Sequence, residues 1–288
     1  MPTCVVCGAD PAPVAETAQV RSNVRAHRAE RFAVWRCGAC RSIHATDEVD
    51  LDRYYRDYPF LRGRRSRVLS YFHRRLWARL RRAGASATAS VLDYGCGAGL
   101  LVDDLRARGL DAHGYDAYAP RFRDDAALAR TYDVVLAQDV LEHVAEPRAL
   151  LARFAGLCRP GGLIAIGTPD AAALDLTAPE RVVHSLHQPY HRHILARDAL
   201  LAAGRARGWR LVRWYATSYA NTPVPTLNLP YLLRYLRAVD DTVDVAYDPP
   251  RVRLAMFGPG ALFDAVFGGL RCPPTDGMAV FRSPDALP

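Results

Sequence analysis

The stretch Val91-Leu92-Asp93-Tyr94-Gly95-Cys96-Gly97-Ala98-Gly99 decides the reading of this chain. An apolar strand ends in an acid and an aromatic, and three glycines at alternate positions then force a tight turn. Such a turn lets a ligand approach the backbone closely. The helix expected next, over about 99–108, begins with N–H groups that have no partner inside it. Outward from this turn the pattern repeats. Strands are expected at Val91–Tyr94, Ala112–Tyr115, Asp133–Ala137, Leu163–Gly167 and Trp209–Tyr215. Helices are expected at about 99–108, 140–144, 147–157 and 196–207. Alternating strands and helices predict an α/β fold, a parallel sheet with helices on both faces. Residues 218–275 break the rhythm with Pro223, Pro225, Pro230, Pro249, Pro250, Pro259, Pro273 and Pro274. They read as a Pro-rich insertion, helical near Leu232–Val239, before a last strand at Met278–Phe281.

Two carboxylates frame the turn. Asp93 stands just before it, where it can hold a cationic amino group. Asp116 ends the next strand, where it can accept two ribose hydroxyls.

With these residues in view, the run Asp93–Gly99 resembles the first motif of class I S-adenosylmethionine methyltransferases. Gly114-Tyr115-Asp116 matches their ribose-binding acid, Tyr132–Val135 followed by Val140-Leu141-Glu142-His143-Val144 their fourth-strand region, and Arg159-Pro160-Gly161-Gly162 the turn before their fifth strand. The resemblance covers residue 90 to about 217 and the last strand. It implies a Rossmann-like, seven-stranded sheet with one antiparallel strand. It also implies cofactor contacts from Asp93, Tyr94, Gly95, Cys96, Gly97, Asp116, Ala117, Gln138 and Asp139. The segment Ala117–Tyr132 is shorter than in the family, and Asp124 or Asp125 is the candidate there for the acid beside the adenine. The implied reaction is displacement at the sulfonium methyl carbon, where the protein mainly aligns the nucleophile. An acceptor that must lose a proton needs a base, and His143 beside Glu142 is the first candidate. The plainer reading has this pair capping and packing the following turn.

Residues 1–46 hold Cys4-Val5-Val6-Cys7-Gly8 and Cys37-Gly38-Ala39-Cys40. Two Cys-x-x-Cys turns are the recurring hardware of a zinc ribbon, with Cys4, Cys7, Cys37 and Cys40 as the ligand set and His44 as a spare nitrogen. So short a segment cannot build a core, and metal would supply its folding energy. Residues 47–85 read as a helical extension, with Tyr54, Tyr55 and Tyr58 in its first half and an apolar stripe at Val68, Leu69, Phe72, Leu76 and Leu80 in its second. The methyltransferase core is expected over 86–288, with 218–275 as a lid.

The order of Cys pairs, Tyr-rich helix and core resembles the zinc-containing sugar C-methyltransferases. In those relatives a Glu-His pair and nearby tyrosines serve the substrate, which singles out Glu142, His143 and Tyr55. His184, His187, His191 and His193 form a second cluster, either a metal site or loop histidines bonded to the pocket wall. Of these, His191 is taken as the one at the pocket and as a catalytic candidate with Glu142, His143 and Tyr55. Trp214, Tyr215, Tyr219, Tyr231 and Tyr235 either line the lid's pocket or fill its own core.

The chain has 288 residues, a net charge of +8 and seven cysteines, and every one of its 38 basic residues is Arg. The Arg residues are spread along predicted solvent faces, which argues against a nucleic-acid stripe. No apolar run approaches a membrane span, and the start Met1-Pro2-Thr3-Cys4 has no secretory pattern, so the cytoplasm is the expected location. The composition carries no mark of oligomeric state. The leading reading is methylation of a small-molecule acceptor, with specialised-metabolite biosynthesis as its expected setting. RNA methylation and a cofactor-binding protein without catalysis are the alternatives. Ala137-Gln138-Asp139-Val140 stands where amino-directed nucleic-acid enzymes carry an Asn-Pro-Pro-Tyr-type sequence.

Overall fold

The computed structural model describes residues 2–63, 65–272 and 275–285. Pro273 and Pro274, part of the expected insertion, lie outside the described residues, as do Met1 and residues 286–288 of the expected domain ends.

The N-terminal region folds as β1 (Val14–Arg21), β2 (Arg31–Cys37) and β3 (Ile43–Ala45). A short helix α1 (Leu51–Tyr55) follows, with the Asp50 carboxylate accepting from the amides of Asp52 and Arg53. Then comes α2 (Arg67–Arg82), capped by the Ser66 hydroxyl on the Leu69 amide. It buries His73, Leu76, Arg79 and Leu80 against the sheet. Of the expected stripe, Val68 is exposed, while Leu69 and Phe72 face a cleft.

The core runs β4 (Val91–Tyr94), α3 (Leu100–Arg106), β5 (Ala112–Tyr115), β6 (Tyr132–Gln138), α4 (Pro147–Leu157), β7 (Cys158–Pro169), α5 (Val183–Leu186), β8 (His193–Ile194), α6 (Arg197–Arg205) and β9 (Arg210–Tyr215). The insertion supplies α7 (Leu229–Val239) and α8 (Pro259–Phe267), and β10 (Asp276–Arg282) closes the chain. The main sheet has the order β5-β4-β6-β7-β10-β9. β10 is antiparallel to both β7 and β9, whereas the pairs β4–β5, β4–β6 and β6–β7 are parallel. Its strands are near-continuous apolar runs, as a sheet covered on both faces requires. Val91, Leu92, Val134, Val135, Ile164 and Val280 are wholly buried.

Three sequence expectations are corrected. The main sheet has six strands among the described residues instead of seven. Between β5 and β6 the chain makes two single-turn 3-10 helices, Pro120–Phe122 and Asp125–Leu128. A parallel crossover needs a dozen or more residues, and an extra strand here would need two of them. The helix expected at 140–144 is a hydrogen-bonded turn, with the His143 amide on the Val140 carbonyl at 3.0 Å. Asp139 before it has φ +53, which breaks the helical path. Finally, the N-terminal sheet has the order β1-β2-β3-β8, so it crosses the boundary drawn at residue 46 and takes its last strand from the core.

Candidate active site

The glycine turn bends as its composition requires. Gly95, Gly97 and Gly99 have φ of +77, +52 and +77, and a Cβ on Gly95 would collide with Val140. The amides of Gly95 and Cys96 donate to the Tyr115 carbonyl at 2.7 and 3.1 Å, which ties the turn to the end of β5. Asp116 closes this corner. Its carboxylate accepts from the amides of Gly97, Tyr118 and Ala119 at 2.8, 2.8 and 2.9 Å. A carboxylate has about four acceptor positions, so roughly one stays open while these amides hold on.

A cleft of about 2330 Å³ opens over this corner. Single-ligand pockets span about 300–1,000 Å³, so the space suits a cofactor together with an acceptor. All nine residues expected to contact the cofactor, Asp93, Tyr94, Gly95, Cys96, Gly97, Asp116, Ala117, Gln138 and Asp139, line it. Asp124 and Asp125 do not: both are exposed, and Asp124 caps the Ala126 amide. Asp93 is buried, and burial with the nearby Asp116 charge pushes its carboxyl up to about 7. Burial and Asp276 push Asp139 up to about 7 as well.

On the far side of the cleft lies an aromatic and imidazole cluster. His143 Nδ1 and the Tyr55 hydroxyl are 3.0 Å apart, and Tyr55 stacks on Tyr118 at 4.1 Å. The His143 and His191 rings meet edge to face at 4.7 Å. Burial pushes the His143 imidazole down to about 4 and that of His191 well below its usual range, so both are neutral at pH 7. Glu142 sits behind them, wholly buried, with no well-formed hydrogen bond to either carboxylate oxygen and the Thr168 hydroxyl beside it. Its Oε1 is 3.9 Å from His191 Nε2. Burial first, and Asp139 second, push this carboxyl well above the carboxylate range.

The other histidines of the second cluster are engaged elsewhere. His184 bonds Asp241 at 3.0 Å, His187 bonds Asn23 at 2.6 Å, and His193 meets His44 at 3.0 Å. They do not gather around one point, and only His191 joins Glu142 and His143. Of the five insertion-region aromatics, Tyr219 lines the cleft. Tyr215 instead bonds the Arg79 carbonyl, and the Tyr235 hydroxyl accepts from the Arg251 amide. Sequence reasoning missed Tyr118 and Tyr247, which line the cleft. Tyr247 lies in a segment with no periodic signal. Tyr54, by contrast, is a packing residue whose hydroxyl donates to Glu30 at 2.6 Å.

The four N-terminal cysteines converge. Cys4 and Cys40 sulfurs are 3.6 Å apart, and those of Cys7 and Cys37 4.0 Å. The sulfur–sulfur edge of a tetrahedron with 2.3 Å bonds is about 3.8 Å. The geometry therefore fits a four-thiolate zinc site. His44 stands outside it, with Nε2 3.3 Å from the Cys4 sulfur. From His44 the contacts run inward to His193 on β8. The amides of Arg192 and His193 in turn hold the Glu142 carbonyl at 2.7 and 3.1 Å. The cysteine cluster is thus linked to the placement of Glu142 and His191.

A methyltransferase-domain family matches residues 60–213. This chain belongs to that family, and its fold is that of the class I, S-adenosylmethionine-dependent methyltransferases. It is 33% identical over 127 residues to a ubiquinone biosynthesis O-methyltransferase of Cereibacter sphaeroides, covering 35% of this chain and 51% of that one. It is 30% identical over 128 residues to the protein of the same name from Rhizobium etli, covering 36% and 52%. The chain therefore spans about half the length of the curated relatives it matches. Among solved structures, a SAM-dependent methyltransferase from Archaeoglobus fulgidus aligns with a TM-score of 0.43 and 15% identity, over 80% of this chain and 99% of that one. Among the described residues no helix is long and apolar enough to cross a membrane.

Proposed function

We propose that this protein methylates a hydroxyl oxygen of a small-molecule acceptor. The observation that carries the reading is the cleft itself. Its cofactor corner, built on Asp93, the glycine turn and Asp116, shares one cleft with the partly buried Tyr55–His143–His191 cluster, and the cleft is large enough for a second ligand. The name of the O-methyltransferase relatives supports oxygen as the acceptor atom.

S-adenosylmethionine, when bound, supplies a methyl carbon made electrophilic by a positively charged sulfur. The carboxylate of Asp93 would hold its ammonium group, Asp116 its ribose, and Gln138 and Asp139 the wall beside it. An acceptor hydroxyl must give up its proton as its oxygen takes the methyl group. The site therefore needs a proton acceptor or something that makes the hydroxyl acidic. Tyr55, Glu142, His143 and His191 are the residues assigned to this task. The insertion 218–275 acts as the lid: it brings Tyr219, Leu233 and Tyr247 to the cleft. It is fastened to the N-terminal region by Arg25 on Asp240 and Asp248, and by Arg21 on Asp241.

The four cysteines hold a structural zinc in this reading, within a ribbon at 1–46, followed by a helical extension at 47–85 and the core at 86–288. Free thiols that bind metal suit a reducing cytoplasmic compartment. The test supplies methyl-labelled S-adenosylmethionine and an extract of source cells lacking the gene. Label in small molecules, lost with His143→Ala, supports the proposal. Label in RNA replaces it with RNA methylation. Cofactor binding with no labelled product in any fraction makes the protein a catalytically inactive binder.

A further inference from the structure

The buried Glu142 carboxylate makes no well-formed hydrogen bond through either oxygen, with only the Thr168 hydroxyl beside it, a costly arrangement in a close-packed interior. Two imidazoles sit beside it. One ligand atom from each of Glu142, His143 and His191 falls within 4.8 Å of the others. We propose that these three side chains bind a divalent cation on the acceptor side of the cleft, distinct from the four-cysteine site. The inference rests on the reading of this cluster as acceptor-side machinery, and it makes His143 a ligand.

The surroundings prepare the ligands for this role. His191 Nδ1 faces the Ser185 carbonyl at 2.8 Å, so it carries the proton and leaves the Nε2 lone pair toward Glu142. The Tyr55 hydroxyl lies 3.0 Å from His143 Nδ1 and orients that ring, and with Tyr55 accepting the Nδ1–H hydrogen bond the His143 Nε2 lone pair is free for a cation. Metal-bound histidines characteristically have such a partner on the other nitrogen. Bonds of 2.0–2.2 Å at tetrahedral or octahedral angles place neighbouring ligand atoms about 3.0–3.5 Å apart. Side-chain movements of about 1 Å bring this cluster to that spacing. Two imidazole nitrogens and one carboxylate oxygen suit zinc, manganese, iron or nickel, whereas magnesium and calcium prefer all-oxygen sites. Three protein ligands leave coordination positions open. His143 and His191 line the cleft, so these positions face the acceptor. A cation there would take an acceptor's hydroxyl oxygen as a ligand and lower its pKa. An acceptor with two neighbouring oxygens would fill two open positions.

The experiment is metal counting on the full-length protein, purified and then equilibrated with Zn²⁺ or, separately, Co²⁺. Two equivalents are expected. Cobalt at the four cysteines gives intense thiolate charge-transfer absorption, while cobalt at Glu142, His143 and His191 gives only weak visible bands. Glu142→Gln and His191→Asn should weaken the second site at least about 100-fold, leave the thiolate bands, and leave S-adenosylhomocysteine affinity within about threefold. Cys4→Ser should remove the thiolate bands. A wild-type protein that takes up only the thiolate-bound equivalent overturns the proposal, whether or not the variants fold. Methyl transfer with that single equivalent sinks the cation site and leaves the proposed function standing. Two equivalents without methyl transfer to any acceptor does the reverse.

Discussion

Asp93 offers the sharpest test of the cofactor corner. Its carboxyl is pushed up to about 7 by burial and by Asp116, from an ordinary value of 3.8. In the unliganded protein at pH 6 most of it is therefore protonated. A cofactor with a free ammonium group requires the ionised form, so binding expels the proton and tightens as pH rises. For a pKa of about 7, apparent Kd exceeds its high-pH floor by roughly 1.3-fold at pH 7.5 and about 33-fold at pH 5.5. The ratio of about 25 corresponds to about 2 kcal/mol. Calorimetric titration with S-adenosylhomocysteine over this range, in buffers of different ionisation enthalpy, reads both the affinity and the proton release. Asp139 also titrates near 7 and lines the cleft, so Asp93→Asn is the necessary control. The variant should bind more weakly, with most of the pH slope gone. An affinity flat between pH 5.5 and 7.5, or a slope that survives in Asp93→Asn, would refute the assignment. The same shift bears on the stability of the free protein. The folded chain keeps a proton that the unfolded chain releases near pH 4, so this group makes the free protein less stable as pH rises from about 4 to about 7.

Three further outcomes are expected. Gly95→Ala meets both a positive φ and Val140, which together cost about 2–4 kcal/mol, whereas Gly97→Ala meets a positive φ with nothing within 4 Å of the new Cβ and costs about 1–2 kcal/mol. Thermal melting should therefore drop further in the first variant than in the second. Arg25→Ala loses two partly exposed ion pairs at 2.7 Å, each worth up to about 1 kcal/mol. Steady-state kinetics should show acceptor KM raised a few-fold with S-adenosylhomocysteine affinity unchanged, and an unchanged KM would remove the lid's fastening from the account. Cys4→Ser should lose zinc by elemental analysis and lower kcat at least about tenfold, through β8 and the Glu142 carbonyl it holds, while cofactor affinity changes less than about threefold.

The legible parts of this protein are local ones. β4 and β5 fall at their expected ends because an apolar run stopped by Gly or Asp carries its own boundary signal. α4 spans the expected 147–157, starting on Pro147, whose fixed φ suits a first helical turn. The cofactor corner was readable for the same reason: Asp93, the glycines and Asp116 sit at strand ends, where topology brings them together without help from side-chain packing. The acceptor side was readable only as a set of residue types. His191 is singled out of four clustered histidines by its place after the fifth strand, but no local pattern shows that it lies beside Glu142. That depends on β8 pairing with β3, a contact between residues about 150 positions apart.

The sequence by itself determined the α/β class, the glycine turn with its two acids and the pairing of four cysteines, because each rests on local spacing. Only the tertiary structure decided that the main sheet keeps six strands, that the cysteine module borrows a strand from the core, and that Glu142 is sealed behind two imidazoles. Those outcomes depend on which distant segments share a buried interface, and burial is a property of the packed chain that local periodicity does not carry.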